Sequence, residues 1–292
     1  MVSRLSQSNV MIRQNVDKPE VQALAKAYHV KGIPTTIVIS PKGEEIDRII
    51  GYDNRSDWMR TLLAYTYGVD TLGDLVSRSA ADAGPDIRRD IAQKYLDRGD
   101  AKEALAWVDK ARTADKKSDA KLETSLALIR GEALLSTDPP KGVEVLSKLA
   151  QGGKSDASEE AFSSLSRYYR GAIKHAADAQ AKKQAESDYL GLYHAAMPNR
   201  QDDPGFLNDY AWHCAEQGLE LDKAAEAARK AVAISHDDPG ILDTLAEVYY
   251  KLGNKDEAVA TIDRALKQKP EDKYLMGQRA KFLKMHGGGT KG

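Results

Sequence analysis

Cysteine is almost missing from this chain: Cys214 is the single example in 292 residues. A lone thiol cannot form an intramolecular disulfide, a CxxC redox centre or a thiolate zinc cluster, so dithiol chemistry is excluded within these residues. It leaves the compartment open, because a buried cysteine is tolerated in reducing and oxidising surroundings alike. Long apolar runs are also lacking. No stretch approaches the roughly 18 apolar residues of a membrane span, and Met1 to Gln14 alternate polar and apolar residues without an export signal. The expected location is cytoplasmic as written, or periplasmic or secreted if an upstream signal peptide has been lost. Charge of one sign is absent too: 43 Lys and Arg stand against 44 Asp and Glu, so neither nucleic acid nor anionic lipid is an expected partner.

Catalytic signatures are equally scarce. There is no glycine-rich phosphate loop, no GxSxG elbow and no HExxH spacing among His29, His175, His194, His213, His236 and His286. No catalytic residue, metal or cofactor is therefore expected. His213 and Cys214 are adjacent, and neighbouring helical residues point about 100° apart, so Cys214 reads as a small core residue and not as a nucleophile.

What the chain does have is helix-forming composition, with 41% apolar and 30% charged residues. Val10 to Val16 is a short β-prone run, and Pro19 to Tyr28 follows with helical spacing of Val21, Leu24, Ala25 and Tyr28. Thr35 to Ser40, a turn at Pro41-Lys42-Gly43 and Glu44 to Ile50 compose a β-hairpin, and a helix over Arg55 to Tyr67 closes the unit. The order and spacing of Val30-Lys31-Gly32-Ile33-Pro34-Thr35, Gly43 and Gly51-Tyr52 resemble the later half of a thioredoxin-like domain. The resemblance implies that Pro34 is cis and that Ile33, Pro34 and Thr35 offer backbone hydrogen bonds to an extended peptide. The CxxC half of such a domain is absent, leaving an unpaired sheet edge. Two explanations follow: a fragment of a longer redox protein, which the cost of a half-sheet favours, or a half-domain serving as a packing cap on the helices. A homodimer through the open edge is a further expectation.

Beyond Asp86 the pattern is helical and repeats. In Gly240 to Pro270, Leu242, Leu245, Ala246 and Tyr249 mark a first helix, Gly253 a turn, and Ala258, Ile262 and Ala265 a second helix. Stepping back 34 residues from Ala258 and Ala265 reaches Ala224 and Ala231, with Leu207, Tyr210, Ala211 and Cys214 on the first helix of that unit. Ile91, Ala92, Tyr95, Gly99, Ala104, Val108 and Ala111 give another unit, and Ala127, Gly131, Leu134, Val143 and Ala150 a weaker one. Glu159 to Ala179 and Lys182 to Met197 read as a degenerate pair, and Lys281 onward as a capping helix. These residues resemble tetratricopeptide (TPR) repeats, with Leu242 and Ala246 replacing the family's Trp and Gly.

The expected fold is thus mostly α: a TPR-like helical-hairpin solenoid preceded by a partial thioredoxin-like α/β unit. Its expected divisions are 1–68 for the partial domain, 69–85 for a linker, 86–286 for the repeats and 287–292 for a flexible tail. By resemblance the groove is lined by Asn208, Trp212, Asp243, Glu247 and Tyr250, whose acids should repel an anionic terminus and favour a neutral or basic extended segment. The function expected is a non-catalytic scaffold or adaptor binding another protein or peptide. The alternative is the C-terminal part of a thiol-disulfide oxidoreductase whose cysteines lie upstream.

Overall fold

Acids and prolines decide where the helices begin. Asp119, Asp178, Asp203, Asp238 and Asp272 each accept hydrogen bonds from backbone N–H groups one turn into the helix that follows them. Pro19, Pro85, Pro204 and Pro239 occupy first turns, where the missing N–H has no intrahelical partner to lose. Gly99 and Gly218 end helices in the left-handed conformation.

The computed structural model describes residues 9–80, 84–153 and 155–284. Its helices are α1 (Pro19–Ala27), α2 (Arg55–Thr66), α3 (Leu72–Ser79), α4 (Pro85–Arg98), α5 (Ala101–Ala114), α6 (Ala120–Thr137) and α7 (Pro139–Ala150), then α8 (Asp156–Lys174), α9 (Ala179–Ala196), α10 (Pro204–Gln217), α11 (Leu221–Ile234), α12 (Pro239–Lys251), α13 (Lys255–Gln268) and α14 (Lys273–Leu283). Strands β1 (Thr35–Ile39) and β2 (Glu45–Ile50) form a two-stranded antiparallel sheet between α1 and α2. Thr35 pairs with Ile50 and Val38 with Asp47, and a bulge separates Val38 from Ile39. The chain is mostly α, as expected. It divides into two compact units, Met1–Ala150 with Ser155–Ala172 and Gln151–Lys154 with Ile173–Gly292.

In the first unit, α4 and α5 form one helical hairpin and α6 and α7 another, with α5 packed on α6. Their shared core includes Ile91, Ala92, Leu96, Ala104, Val108, Ala111 and Leu126, all at most 3% exposed. The β-hairpin is joined to α4 by polar contacts. The Arg48 guanidinium donates to the carbonyls of Tyr28 (2.7 Å) and Asp97 (2.9 Å) and pairs with Glu45 (2.6 Å). Arg98 donates to the Ile46 carbonyl (2.7 Å), and Lys31 to that of Leu96 (3.1 Å). In the second unit, α10 with α11 and α12 with α13 form hairpins, and α14 packs on α13.

Four expectations change. The run Val10–Val16 forms no strand: Val10 and Ile12 are 89% and 72% exposed, since a β-prone run needs a partner edge to become one. The expected linker 69–85 contains α3, whose Leu72 and Leu75 are buried in the same core as Ile91; their three-residue spacing makes a short amphipathic helix worth docking. The expected degenerate pair is divided: α8 lies almost wholly in the first unit, where Ser164 bonds to Glu132, and α9 in the second, where Tyr193 packs on Phe206. The last helix begins at Lys273 and not at Lys281, because Asp272 caps the N–H groups of Tyr274 and Leu275. The tail 287–292 lies outside the described residues.

Candidate protein-binding face

The first helices of the second unit repeat in register. The start of α12, Pro239, lies 35 residues after Pro204 of α10, and Lys273 of α14 lies 34 after Pro239. Adjacent first helices are in contact, α10 with α12 and α12 with α14. Equivalent positions therefore form columns: Trp212, Glu247 and Lys281 in one, Asn208, Asp243 and Gly277 in the next.

The five residues expected to line the groove stand on these helices, but the two acids are not open. Asp243 is 7% exposed and Glu247 6% exposed. The Asp243 carboxylate accepts hydrogen bonds from the Tyr274 hydroxyl (3.0 Å) and the Gln278 amide (3.2 Å), and Glu247 pairs with the Lys281 ammonium at 2.5 Å. Lys281 also lies 4.7 Å from the centroid of the Tyr250 ring, against which Phe282 packs at 5.3 Å. Burial raises the Asp243 pKa above its ordinary value against the opposing donors, and burial with the nearby Asp243 charge pushes the Tyr274 hydroxyl up to about 12. The charge argument for a basic partner is thereby corrected: the negative groups are engaged by the chain's own last helix. The sequence carried a signal for that helix, Asp272 followed by Leu275 and Phe282 on one face.

Trp212 and Asn208 differ from the acids. Trp212 is half-buried, and no described residue bonds to its indole N–H or stacks on its ring. Asn208, one turn earlier, is half-buried with its Oδ1 enclosed and accepting no hydrogen bond from the described residues. In the first unit the Ile33–Pro34 peptide bond is cis. Ile33 is 71% exposed, the Pro34 carbonyl accepts from the Gly51 N–H (2.8 Å), and the Thr35 hydroxyl donates to the Gly32 carbonyl (2.6 Å).

Glu220 was missed by sequence reasoning, since it looks like one more acid before a helix. It precedes α11 in a left-handed conformation (φ 43°), and its carboxylate accepts from Lys223 (2.9 Å), the Tyr210 hydroxyl (2.8 Å) and the His194 Nε2 (2.8 Å). A cavity of about 360 Å³ adjoins it, lined in part by His194, Leu207, Tyr210 and Lys223. Burial opposes its ionisation, but these donors prevail and hold its pKa down to about 2. Cys214 lies behind Tyr210, fully buried, its thiol pushed up to about 11 chiefly by burial.

A carboxyl depressed on folding contributes stability that is complete above the unfolded value of about 4.3 and lost as pH falls toward about 2. Glu220→Gln is expected to destabilise the chain at pH 7 by about 1 kcal/mol, a figure kept small by solvent screening. The gap should narrow below about pH 4 and close only as pH falls through about 2. Urea denaturation at neutral and acid pH reads it, and an unchanged gap in acid would count against this cluster.

Paired antiparallel helices in repeated register define a helical-hairpin repeat protein, a fold that supports protein–protein interaction scaffolds. The tetratricopeptide repeat family model matches residues 215–280, which span α11 to most of α14. Solved structures of similar fold include TTC0263, a thermophilic TPR protein of Thermus thermophilus, at 21% identity, covering 68% of this chain and 99% of that one with a TM-score of 0.40. YrrB, a TPR protein with an unusual peptide-binding site, is 15% identical over 66% of this chain and 91% of its own, with a TM-score of 0.44. A tetratricopeptide repeat protein from Parabacteroides merdae is 13% identical over 69% and 73%, with a TM-score of 0.46. No curated protein matches the chain.

Proposed function

We propose that this chain is a non-catalytic scaffold that receives an extended, neutral segment of another protein across the first helices α10 and α12, with Trp212 as the anchor. The observation that carries the reading is the state of Trp212: a half-buried indole whose N–H has no acceptor among the described residues. Trp is enriched among the anchors of protein interfaces, where its ring packs and its N–H finds a partner. The Trp212 N–H needs an acceptor, and each peptide unit of an extended segment offers one. With Asp243 and Glu247 engaged by α14, a neutral segment fits this face better than a basic one.

Trp212→Ala is expected to weaken binding of peptides selected from an array by about tenfold or more, as loss of a buried aromatic anchor does. Titration by fluorescence anisotropy measures it. Retained affinity in the variant, or selection of mainly basic peptides, would remove the proposal.

The described part of residues 1–68 fits the reading of a partial thioredoxin-like unit that packs on the first repeat helix, supported by the contacts of Arg48 and Arg98 with that helix and hairpin. Exposure of Ile33 supports a second docking point at Ile33–Thr35. The outer edge of β1, unpaired among the described residues, is where a second copy would add a strand, which sedimentation velocity would register. An insulin-reduction assay on the chain beside a version with the upstream genomic segment restored tests the oxidoreductase alternative: activity only in the longer form would establish it, and silence in both is expected.

A further inference from the structure

Among the described residues, α14 is a first helix without a second. Both other first helices of its unit, α10 and α12, are followed by a packed partner, α11 and α13. We propose that the cleft between α13 and α14 is a docking site for an acidic amphipathic helix of another protein, seated where a further second helix would lie. This face is distinct from the one that carries Trp212.

The register identifies the surface. Met276, Arg279, Ala280 and Leu283 stand 34 residues after Leu242, Leu245, Ala246 and Tyr249. In α12, which packs on α13, Leu242, Leu245 and Ala246 are 0%, 3% and 0% exposed. In α14 the equivalent Met276 and Leu283 are 53% and 44% exposed, and Ala280 is exposed as well. Together with Leu266 and Pro270 they line a cleft of about 310 Å³. Uncovered apolar surface at a repeat's own pairing positions is what a stacked helix would remove from water.

The preceding repeats show the shape of the occupant. The second helices α11 and α13 carry Ala224 and Ala231, and Ala258 and Ala265, all fully buried, with Ala228 or Ile262 between them. Alanines seven residues apart lie on one face and let two helices approach closely. The surroundings set the charge. Lys267, Lys269 and Lys273, in and beside the segment joining α13 to α14, make no ion pair among the described residues, against Glu271 and Asp272, of which Asp272 is engaged by the N–H groups of Tyr274 and Leu275. Size argues against a second copy. Two convex α14 helices of 11 residues would meet along one short line. They would bury far less than the roughly 800 Å² per partner that a stable dimer needs. A lone helix in the cleft rests on α13 and α14 at once.

The probe is a side-chain-bridged peptide copying α13, Lys255–Gln268, with Lys255→Glu, Arg264→Glu and Lys267→Glu, titrated against the full chain by fluorescence anisotropy. Saturable binding is expected, weakened about tenfold by Ala280→Arg in the chain, because an arginine fills the close-approach position. A probe with the acids exchanged for lysines should bind about fivefold more weakly at low salt. Trp212→Ala should leave binding unchanged. The proposal is overturned by absence of saturation, by equal binding to Ala280→Arg, by indifference to probe charge, or by loss of binding in Trp212→Ala. It is also overturned by a dimer in sedimentation that Ala280→Arg abolishes, which would make the second copy the occupant.

Discussion

Asp47→Ala is expected to lower the stability of the first unit by about 3–5 kcal/mol, the usual result of removing one member of a buried ion pair. Asp47 lies in β2 and is 1% exposed. Its Oδ2 accepts from the Leu72 N–H at 2.7 Å, at the start of α3, and from the Lys94 ammonium at 2.9 Å, on α4; its Oδ1 accepts from the Arg48 N–H at 2.8 Å. One carboxylate therefore connects the β-hairpin to two helices. Lys94 also donates to the Tyr65 hydroxyl (2.8 Å) and lies 4.4 Å from that ring's centroid, so it would remain buried and charged beside a neutral hydroxyl. Burial works against the Lys94 charge, yet bonds to Tyr65 and Asp47 raise its pKa above the ordinary 10.5. A raised lysine contributes stability that is complete below 10.5 and lost as pH climbs through the folded value, so the Asp47→Ala deficit should persist through neutral pH and shrink only in strong alkali. Denaturant titration measures the deficit. Pairing Asp47→Ala with Lys94→Met should recover a large part of it, because the unpaired charge leaves with the lysine. A deficit under about 1 kcal/mol would place the hairpin's attachment elsewhere.

That attachment was the least legible part of the fold. The hairpin and its two helices could be read from Pro19, Gly43 and alternating residues such as Ile37 and Ile49, which report local conformation. Arg48, Lys94 and Arg98 read as ordinary solvated charges, because a charged residue in a sequence shows nothing of the partner it meets 47 to 52 positions away, as Lys94 meets Asp47, Arg48 the Asp97 carbonyl and Arg98 the Ile46 carbonyl. Local pattern also misled where the outcome depended on a partner. Val10 to Val16 has strand composition and no strand to pair with, whereas Leu72 and Leu75 sit in a polar stretch and are buried because Ile91 and Leu96 await them.

In the second unit the register was legible and the electrostatics were not. Ala224, Ala231, Ala258 and Ala265 repeat at 34 residues because close helix approach admits only small side chains, and all four are fully buried. The same register placed Asn208, Trp212, Asp243, Glu247 and Tyr250 on adjacent first helices. What it could not deliver was the contact between neighbouring columns. Lys281 was read as the start of a cap, and its actual place, in the third turn of α14 and one repeat beyond Glu247, makes it the counter-ion of the acid that was expected to face a ligand.

The hairpin of α6 and α7 gives the second large effect, and there backbone and side chain can be separated. Gly142→Ala is expected to destabilise the chain by about 2 kcal/mol, and Gly142→Val by more, through overpacking that no side-chain rotation relieves. A Cβ at Gly142 would lie 2.5 Å from the Leu135 backbone nitrogen and 2.9 Å from the Leu134 carbonyl carbon, so α6 itself would have to move. At Gly131, on the facing helix, a Cβ would instead meet the Leu146 side chain at 2.6 Å. Leu146 is fully buried and must shift within the core, but a side chain gives more readily than a helix backbone, and alanine gains about 1 kcal/mol over glycine in helix propensity, so Gly131→Ala should be the milder of the two. The sequence pattern placed Gly131 and Val143 in one weak repeat unit; the close approach to the α6 backbone is made by Gly142, beside Val143, with Asp138 alone separating α6 from α7. Thermal unfolding of the two alanine variants side by side decides the matter. Equal losses, or a Gly131→Ala loss exceeding that of Gly142→Ala, would mean that Leu146 and not the α6 backbone sets the distance between the two helices.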